Sequence, residues 1–79
     1  MTTRTPVSRR VLVLVDVFAR AAALSDDGAR AWLAWRWPHP ERTWARHGAA
    51  VLEHLEGNGH EHLAERLVGL LGNPQRGAR

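Results

Sequence analysis

Apolar residues recur along this chain with the three-to-four-residue spacing of helices, and glycine, proline and serine interrupt that spacing at intervals. The pattern predicts an all-α fold, a small bundle of about four helices over approximately residues 6–24, 26–36, 40–56 and 59–71. We expect one domain spanning residues 1–79, with flexible, arginine-bearing tails at about 1–5 and 73–79.

The predicted ends of these helices rest on capping residues. Thr5 followed by Pro6 is a good cap and first-turn pair for helix 1, and Ser25 caps helix 2 ahead of two aspartates. Asn58 stands in capping-box spacing at the start of helix 4, and Gly72 ends that helix. The turn between helices 3 and 4 is short, so these two helices are expected to fold back on each other.

Residues 11–17 allow a second interpretation. β-Branched residues alternate with leucine there, which is also typical of a strand, and a strand would have to pair with a second copy, as in ribbon-helix-helix regulators. Those strands have one polar face, and this run has no polar residue before Asp16. We predict a helix and keep the dimer-forming strand as the alternative.

Four tryptophans lie within thirteen residues, Trp32, Trp35, Trp37 and Trp44. On a helical wheel Trp32 and Trp35 share one arc, whereas Leu33 and Trp37 fall on another, so one face cannot bury every ring of helix 2. Each buried indole hides roughly 150–250 Å², which a small domain needs for its core. We expect Trp32, Trp35 and Trp44 in the core and Trp37 on the surface.

Composition limits the chemistry available to the chain. It has 79 residues and no cysteine, which excludes disulfides and thiolate sites, and all eleven of its basic residues are arginine. The net charge is +3, but the terminal arginines carry much of it, and residues 11–73 hold six arginines against eight acids. Residues 30–47 are basic and tryptophan-rich, whereas residues 48–65 contain four glutamates and no arginine.

The basic, tryptophan-rich segment is the predicted site. Tryptophan and arginine most often anchor protein interfaces, so we expect a non-enzymatic binding or regulatory protein that meets an acidic protein surface through Arg36, Trp37, Arg42 and Arg46. Helix 1 is apolar on all sides and is predicted to mediate a homodimer.

Nucleic-acid binding is the alternative. Helix 2, the corner at Pro38 and helix 3 would act together with the arginine tails, since guanidinium groups bind phosphates. Thr43, His47, Arg9 and Arg10 are the additional contacts on this hypothesis.

Other classes have little support. Five histidines are present, but none of their spacings gives the usual helical chelate, so no metal site and no cofactor are expected. No motif for catalysis is found, and we expect no enzyme. Ser8–Val13 resembles a twin-arginine export signal, but the charges of Asp16 and Arg20 interrupt the apolar stretch that follows. We expect a cytoplasmic protein without membrane attachment.

Overall fold

The computed structural model describes residues 8–74, which form four α-helices in a compact bundle. They are α1 (Arg9–Ala22), α2 (Asp26–Arg36), α3 (Pro40–Gly57) and α4 (Glu61–Leu71). The predicted all-α bundle is confirmed. Residues 11–17 belong to α1, and no strand occurs between residues 8 and 74, so the strand interpretation is wrong.

Serine side chains begin the first two helices. The Ser8 hydroxyl accepts a hydrogen bond from the backbone N–H of Val11 at 3.2 Å, so α1 starts at Arg9. The predicted start at Thr5 and Pro6 lies outside the described residues. Ser25 caps α2 as predicted, and its hydroxyl accepts from the N–H of Gly28 at 3.1 Å.

The corner between α3 and α4 differs from the predicted one. Asn58 does not cap α4, because its side-chain amide donates to the carbonyl oxygen of His54 at 2.7 Å and so completes the end of α3. Gly59 follows in a left-handed conformation with φ of 79°, which favours glycine. α4 therefore begins at Glu61 after His60, two residues later than predicted.

α1 is the central helix and packs against each of the other three. The largest fully buried side chains come from all four helices and are Phe18, Leu33, Val51, Leu52, Leu55 and Leu67. Arg66 joins α4 to the connection between α1 and α2, since its guanidinium contacts the Asp26 carboxylate at 2.7 Å and donates to the Leu24 carbonyl at 2.8 Å. Burial of apolar surface and these two contacts of Arg66 fix how the helices pack against one another.

The chain after α4 returns to α3. A tail was predicted from about residue 73, but the contacts with α3 continue to Pro74. The indole N–H of Trp44 donates to the carbonyl oxygen of Gly72 at 2.8 Å, and Pro74 is buried. A Cβ at Gly48 would lie 2.9 Å from the Pro74 Cβ, so the close approach depends on the glycine. The packed part of the chain therefore extends at least to Pro74.

Among residues 8–74, no helix combines the length and the apolar character needed to cross a bilayer.

Candidate functional site

The orientation of α2 decides which tryptophans are available for binding, and it differs from the prediction for Trp35 and Trp37, whereas Trp32 packs against the core in part as predicted. Ala29 and Leu33 face the core, whereas the side chain of Trp35 is 76% exposed. Trp32 is half-buried and donates its indole N–H to the Val17 carbonyl at 2.9 Å. The prediction that Trp35 belongs to the core is wrong, because α2 packs through its small alanine and leucine positions, which allow a close approach to α1.

Trp37 is not the exposed ring that the helical wheel predicted. Pro38 disfavours helical geometry at the residue before it, and Trp37 is extended, with φ −137° and ψ 144°. An angle on the wheel of α2 therefore has no meaning for this side chain. Its indole is half-buried and stacks on Phe18, with ring centroids 5.2 Å apart and an interplanar angle of 29°.

Trp44 completes the aromatic cluster from the α3 side. Its side chain is buried, as predicted, and its ring lies 4.9 Å from that of Phe18. The fully buried Phe18 thus contacts both Trp37 and Trp44 and links α1 to the α2–α3 corner.

Beside this cluster is an open groove of about 1000 Å³, here named the basic groove. It lies between the first half of α1, the end of α2 and the first half of α3. Its lining residues are Arg10, Val13, Leu14, Arg36, Trp37, Arg42, Thr43, Ala45, Arg46 and His47.

The basic groove has a strongly one-sided charge. Three helices contribute its four arginines, and no carboxylate is among the lining residues. The ion pairs within residues 8–74 join Asp16 to Arg20, Glu41 to His39 and Asp26 to Arg66, so none involves an arginine of the groove. These guanidinium groups are exposed and can donate hydrogen bonds to an anionic ligand.

Part of the lining of the basic groove is apolar. It includes Val13, which is 52% exposed, and the half-buried ring of Trp37. The Arg36 guanidinium lies over that ring at 5.3 Å, a cation–π contact that holds one arginine in position. A ligand with both anionic and apolar groups would therefore find partners for each.

The structure brings most of the predicted site residues together. The basic groove contains the four proposed for protein binding, Arg36, Trp37, Arg42 and Arg46, and three of those proposed for nucleic acid, Arg10, Thr43 and His47. Arg9 is exposed but does not line it. Val13 and Leu14 were not predicted, because nothing in the sequence indicated that α1 packs beside the start of α3, and the small side chain of Ala45 gave no signal of its own.

The histidines do not converge. His47 lines the basic groove, and the rings of His60 and His62 meet edge to face with centroids 6.3 Å apart at the start of α4. Within the described part of the chain, no group of three or more histidine or acidic side chains could hold a metal ion.

Comparisons of the chain with protein-family models, with curated proteins and with solved structures gave no match, so the site is interpreted from its own residues.

Proposed function

We propose that this chain is a non-enzymatic binding protein that recognises an acidic, partly apolar segment of a partner protein in the basic groove. The observation that carries the proposal is the convergence of four arginines from three helices with apolar side chains on one lining that contains no carboxylate. Such a site attracts carboxylates electrostatically and buries apolar side chains beside them. It needs no cofactor.

The concave shape supports a protein segment over duplex nucleic acid. A helix that reads the major groove must stand out from its domain so that its side chains reach the base edges. Arg42 and Arg46 instead share a groove with Arg10 and Val13 of α1. These α3 side chains therefore do not stand apart from the rest of the domain.

The indole on the lining of the basic groove is poorly available to single-stranded nucleic acid. Binding of unpaired bases uses aromatic rings with an open face on which a base can stack. The Trp37 ring already has Phe18 stacked on it and the Arg36 guanidinium lying over it, and the exposed ring of Trp35 does not line the groove. Nucleic-acid binding stays the second candidate, supported by the arginines and by Thr43 and His47 in the same groove.

Two further predictions belong to this proposal. The cytoplasm stays the predicted location. Its reducing conditions do not affect the fold of a chain that has no cysteine and therefore no disulfide. A homodimer through α1, expected from the sequence, is one of two candidate modes of self-association and rests on the exposed side chains of Leu12 and Val13. Because Val13 also lines the basic groove, a dimer that covered it would compete with the proposed partner.

Site-specific photo-crosslinking in the native cell tests the proposal. A photoreactive residue replaces Ala45, which is exposed on the lining of the basic groove, or Ala34, which is exposed on α2 outside it. We expect a nuclease-resistant adduct with an acidic protein from position 45 and none from position 34. The adduct from position 45 should disappear when the same chain also carries the substitution Arg46→Glu.

Two outcomes contradict the proposal. An adduct at position 45 that nuclease removes would assign the basic groove to nucleic acid. Equal protein adducts at both positions, unaffected by Arg46→Glu, would show contact that does not depend on the groove.

A further inference from the structure

A second surface, separate from the basic groove, centres on Trp35. Its side chain is 76% exposed, and its ring stacks on Trp32 with centroids 5.6 Å apart at 24°. Trp32 is itself held by the hydrogen bond from its indole N–H to the Val17 carbonyl. The exposed ring is therefore preorganised, which lowers the entropy lost when a partner binds it.

Trp35 and three neighbours lie on one side of α2, here named the α2 face, where Ala31 and Trp35 are exposed and Gly28 and Trp32 are half-buried. Its members, Gly28, Ala31, Trp32 and Trp35, have the helical spacing i, i+3, i+4 and i+7, and none of them lines the basic groove. The side chains are small in the first half of the helix and large in the second half. This gradient decides which surface can cover the face.

A second copy of α2, running in the opposite direction, complements the α2 face. With a two-fold axis between residues 31 and 32, Trp35 of each copy lies opposite Gly28 of the other, and the two Ala31 side chains meet beside the axis. A parallel arrangement would instead place each Trp35 against its own counterpart and leave a gap at Gly28. Only the antiparallel direction therefore places Trp35 opposite a small residue.

The charges of α2 favour the same direction. Asp27 is exposed in the first turn and Arg36 in the last, on opposite flanks of the helix, so an antiparallel pair places the acidic end of each α2 level with the basic end of the other, with opposed helix dipoles. A parallel pair places like charges together. α2 carries two aspartates and two arginines in all, so it offers no excess charge to a strongly acidic or basic partner.

We propose that the chain forms a two-fold symmetric homodimer in which the α2 faces of two copies pack antiparallel, each Trp35 covering Gly28 and Ala31 of the other copy. No residue of the α2 face lines the basic groove, so this dimer would present two grooves and, if the proposed function holds, would bind a partner with two acidic segments more tightly than one groove alone.

Sedimentation equilibrium of the full chain tests the dimer. Gly28 to Trp35 spans only ~10 Å of helix, so the contact is small, and we expect a dissociation constant on the order of 10–100 µM. Trp35→Ala and Ala31→Arg should each raise it at least about tenfold, while far-UV circular dichroism stays that of a helical bundle. A wild-type chain that is monomeric up to about 500 µM overturns the proposal.

Two control variants locate the interface. Ala34→Arg makes the same change at an exposed position of α2 that lies off the α2 face, and it should leave the dissociation constant within about twofold of wild type. Leu12→Ala removes an exposed side chain from α1 and should also have little effect. A dimer that is weakened by Leu12→Ala but not by Ala31→Arg would place the interface on α1 and overturn the proposal.

Engineered cysteines test the direction, because the native chain has none. Two copies of residue 31 lie beside the two-fold axis, so Ala31→Cys should oxidise readily to a covalent dimer. Two copies of residue 28 lie about 10 Å apart along the helix axis in the antiparallel pair, so Gly28→Cys should not. Residue 28 lies on the α2 face, so its copies would meet in a parallel pair, and efficient oxidation there would contradict the proposed packing.

Discussion

Replacing Trp37 by alanine should destabilise the bundle, whereas the same replacement of Trp35 should not. Trp37 is half-buried and stacks on Phe18 in the core, but Trp35 is 76% exposed and contacts chiefly Trp32. The two residues are two positions apart and lose the same side chain. Their comparison therefore isolates the packing of the ring from the general effect of removing an indole.

The magnitude follows from the buried area. The Trp37 ring hides on the order of 150 Å², worth at most ~3–4 kcal/mol at about 25 cal/mol per Å². We expect Trp37→Ala to lower the free energy of unfolding by about 2–3 kcal/mol, a fall in Tm of roughly 8–24 °C. Trp35→Ala loses one stacking contact, worth ~0.5–1.5 kcal/mol, and gains helix propensity, so its net change should stay within about 1 kcal/mol.

Urea unfolding followed by far-UV circular dichroism measures both values. Protein at about 2 µM keeps the proposed dimer dissociated, so the two variants are compared as monomers. Equal stabilities for Trp37→Ala and Trp35→Ala would refute the packing described for α2. A large loss for Trp35→Ala alone would restore the orientation that the helical wheel predicted.

Two further predictions concern the packing that supports the groove. Gly48→Ala places a Cβ 2.8 Å from Trp44 and 2.9 Å from Pro74, whereas the new Cβ of the control variant Gly69→Ala meets nothing within 4 Å. In thermal unfolding, Gly48→Ala should therefore be less stable than Gly69→Ala by about 1–3 kcal/mol. Similar Tm values would show that residues 72–74 do not press on α3. Arg66→Met removes the contacts of Arg66 with Asp26 and with the Leu24 carbonyl and should lower the free energy of unfolding by about 1 kcal/mol. In 1 M salt this loss should fall to about half, because salt screens the ion pair of the wild type. An unchanged midpoint of urea unfolding would contradict the prediction.

The helices could be predicted from sequence because their signals are local. Ser25 marks the start of α2, Pro40 the start of α3 and Gly72 the end of α4, and each depends only on its neighbours along the chain. Asn58 shows the limit of such signals. A side chain between two helices can complete the first or begin the second, and it bonds to His54 of the first.

The orientation of α2 could not be predicted in the same way. The helix has two apolar arcs, one with Trp32 and Trp35 and one with Ala29 and Leu33, and periodicity does not say which faces α1. The larger side chains were expected inside because they bury more area. The bundle instead buries the smaller arc, and Trp37 reaches Phe18 because Pro38 holds it extended.

Residue types predicted the part of the candidate site in α2 and α3, whereas its part in α1 depends on tertiary contacts. Arg36, Arg42 and Arg46 surround a tryptophan within eleven residues of sequence, so their joint use could be inferred before the fold was known. The contribution of α1, through Arg10 and Val13, comes from tertiary contact between segments some thirty residues apart. Because of that contact, α1 lies beside the arginine-rich segment and forms the basic groove together with the end of α2 and the first half of α3.

The affinity of the basic groove for an acidic segment tests the account most directly. The probe is a fluorescein-labelled synthetic helix of about 15 residues, with glutamates on one face and leucines on the other, and fluorescence polarisation measures its binding. The groove variant Arg42→Glu/Arg46→Glu and the control variant Arg20→Glu/Arg30→Glu change the net charge equally, and the control residues do not line the groove.

We predict that the groove variant loses at least about tenfold in affinity and that the control variant changes it by less than about threefold. A scrambled peptide of the same composition, with its leucines spread around the helix, should bind more weakly than the probe. Equal losses for both variants, or tighter groove-dependent binding of a DNA duplex than of the peptide, would contradict the claim that this groove recognises an acidic protein segment.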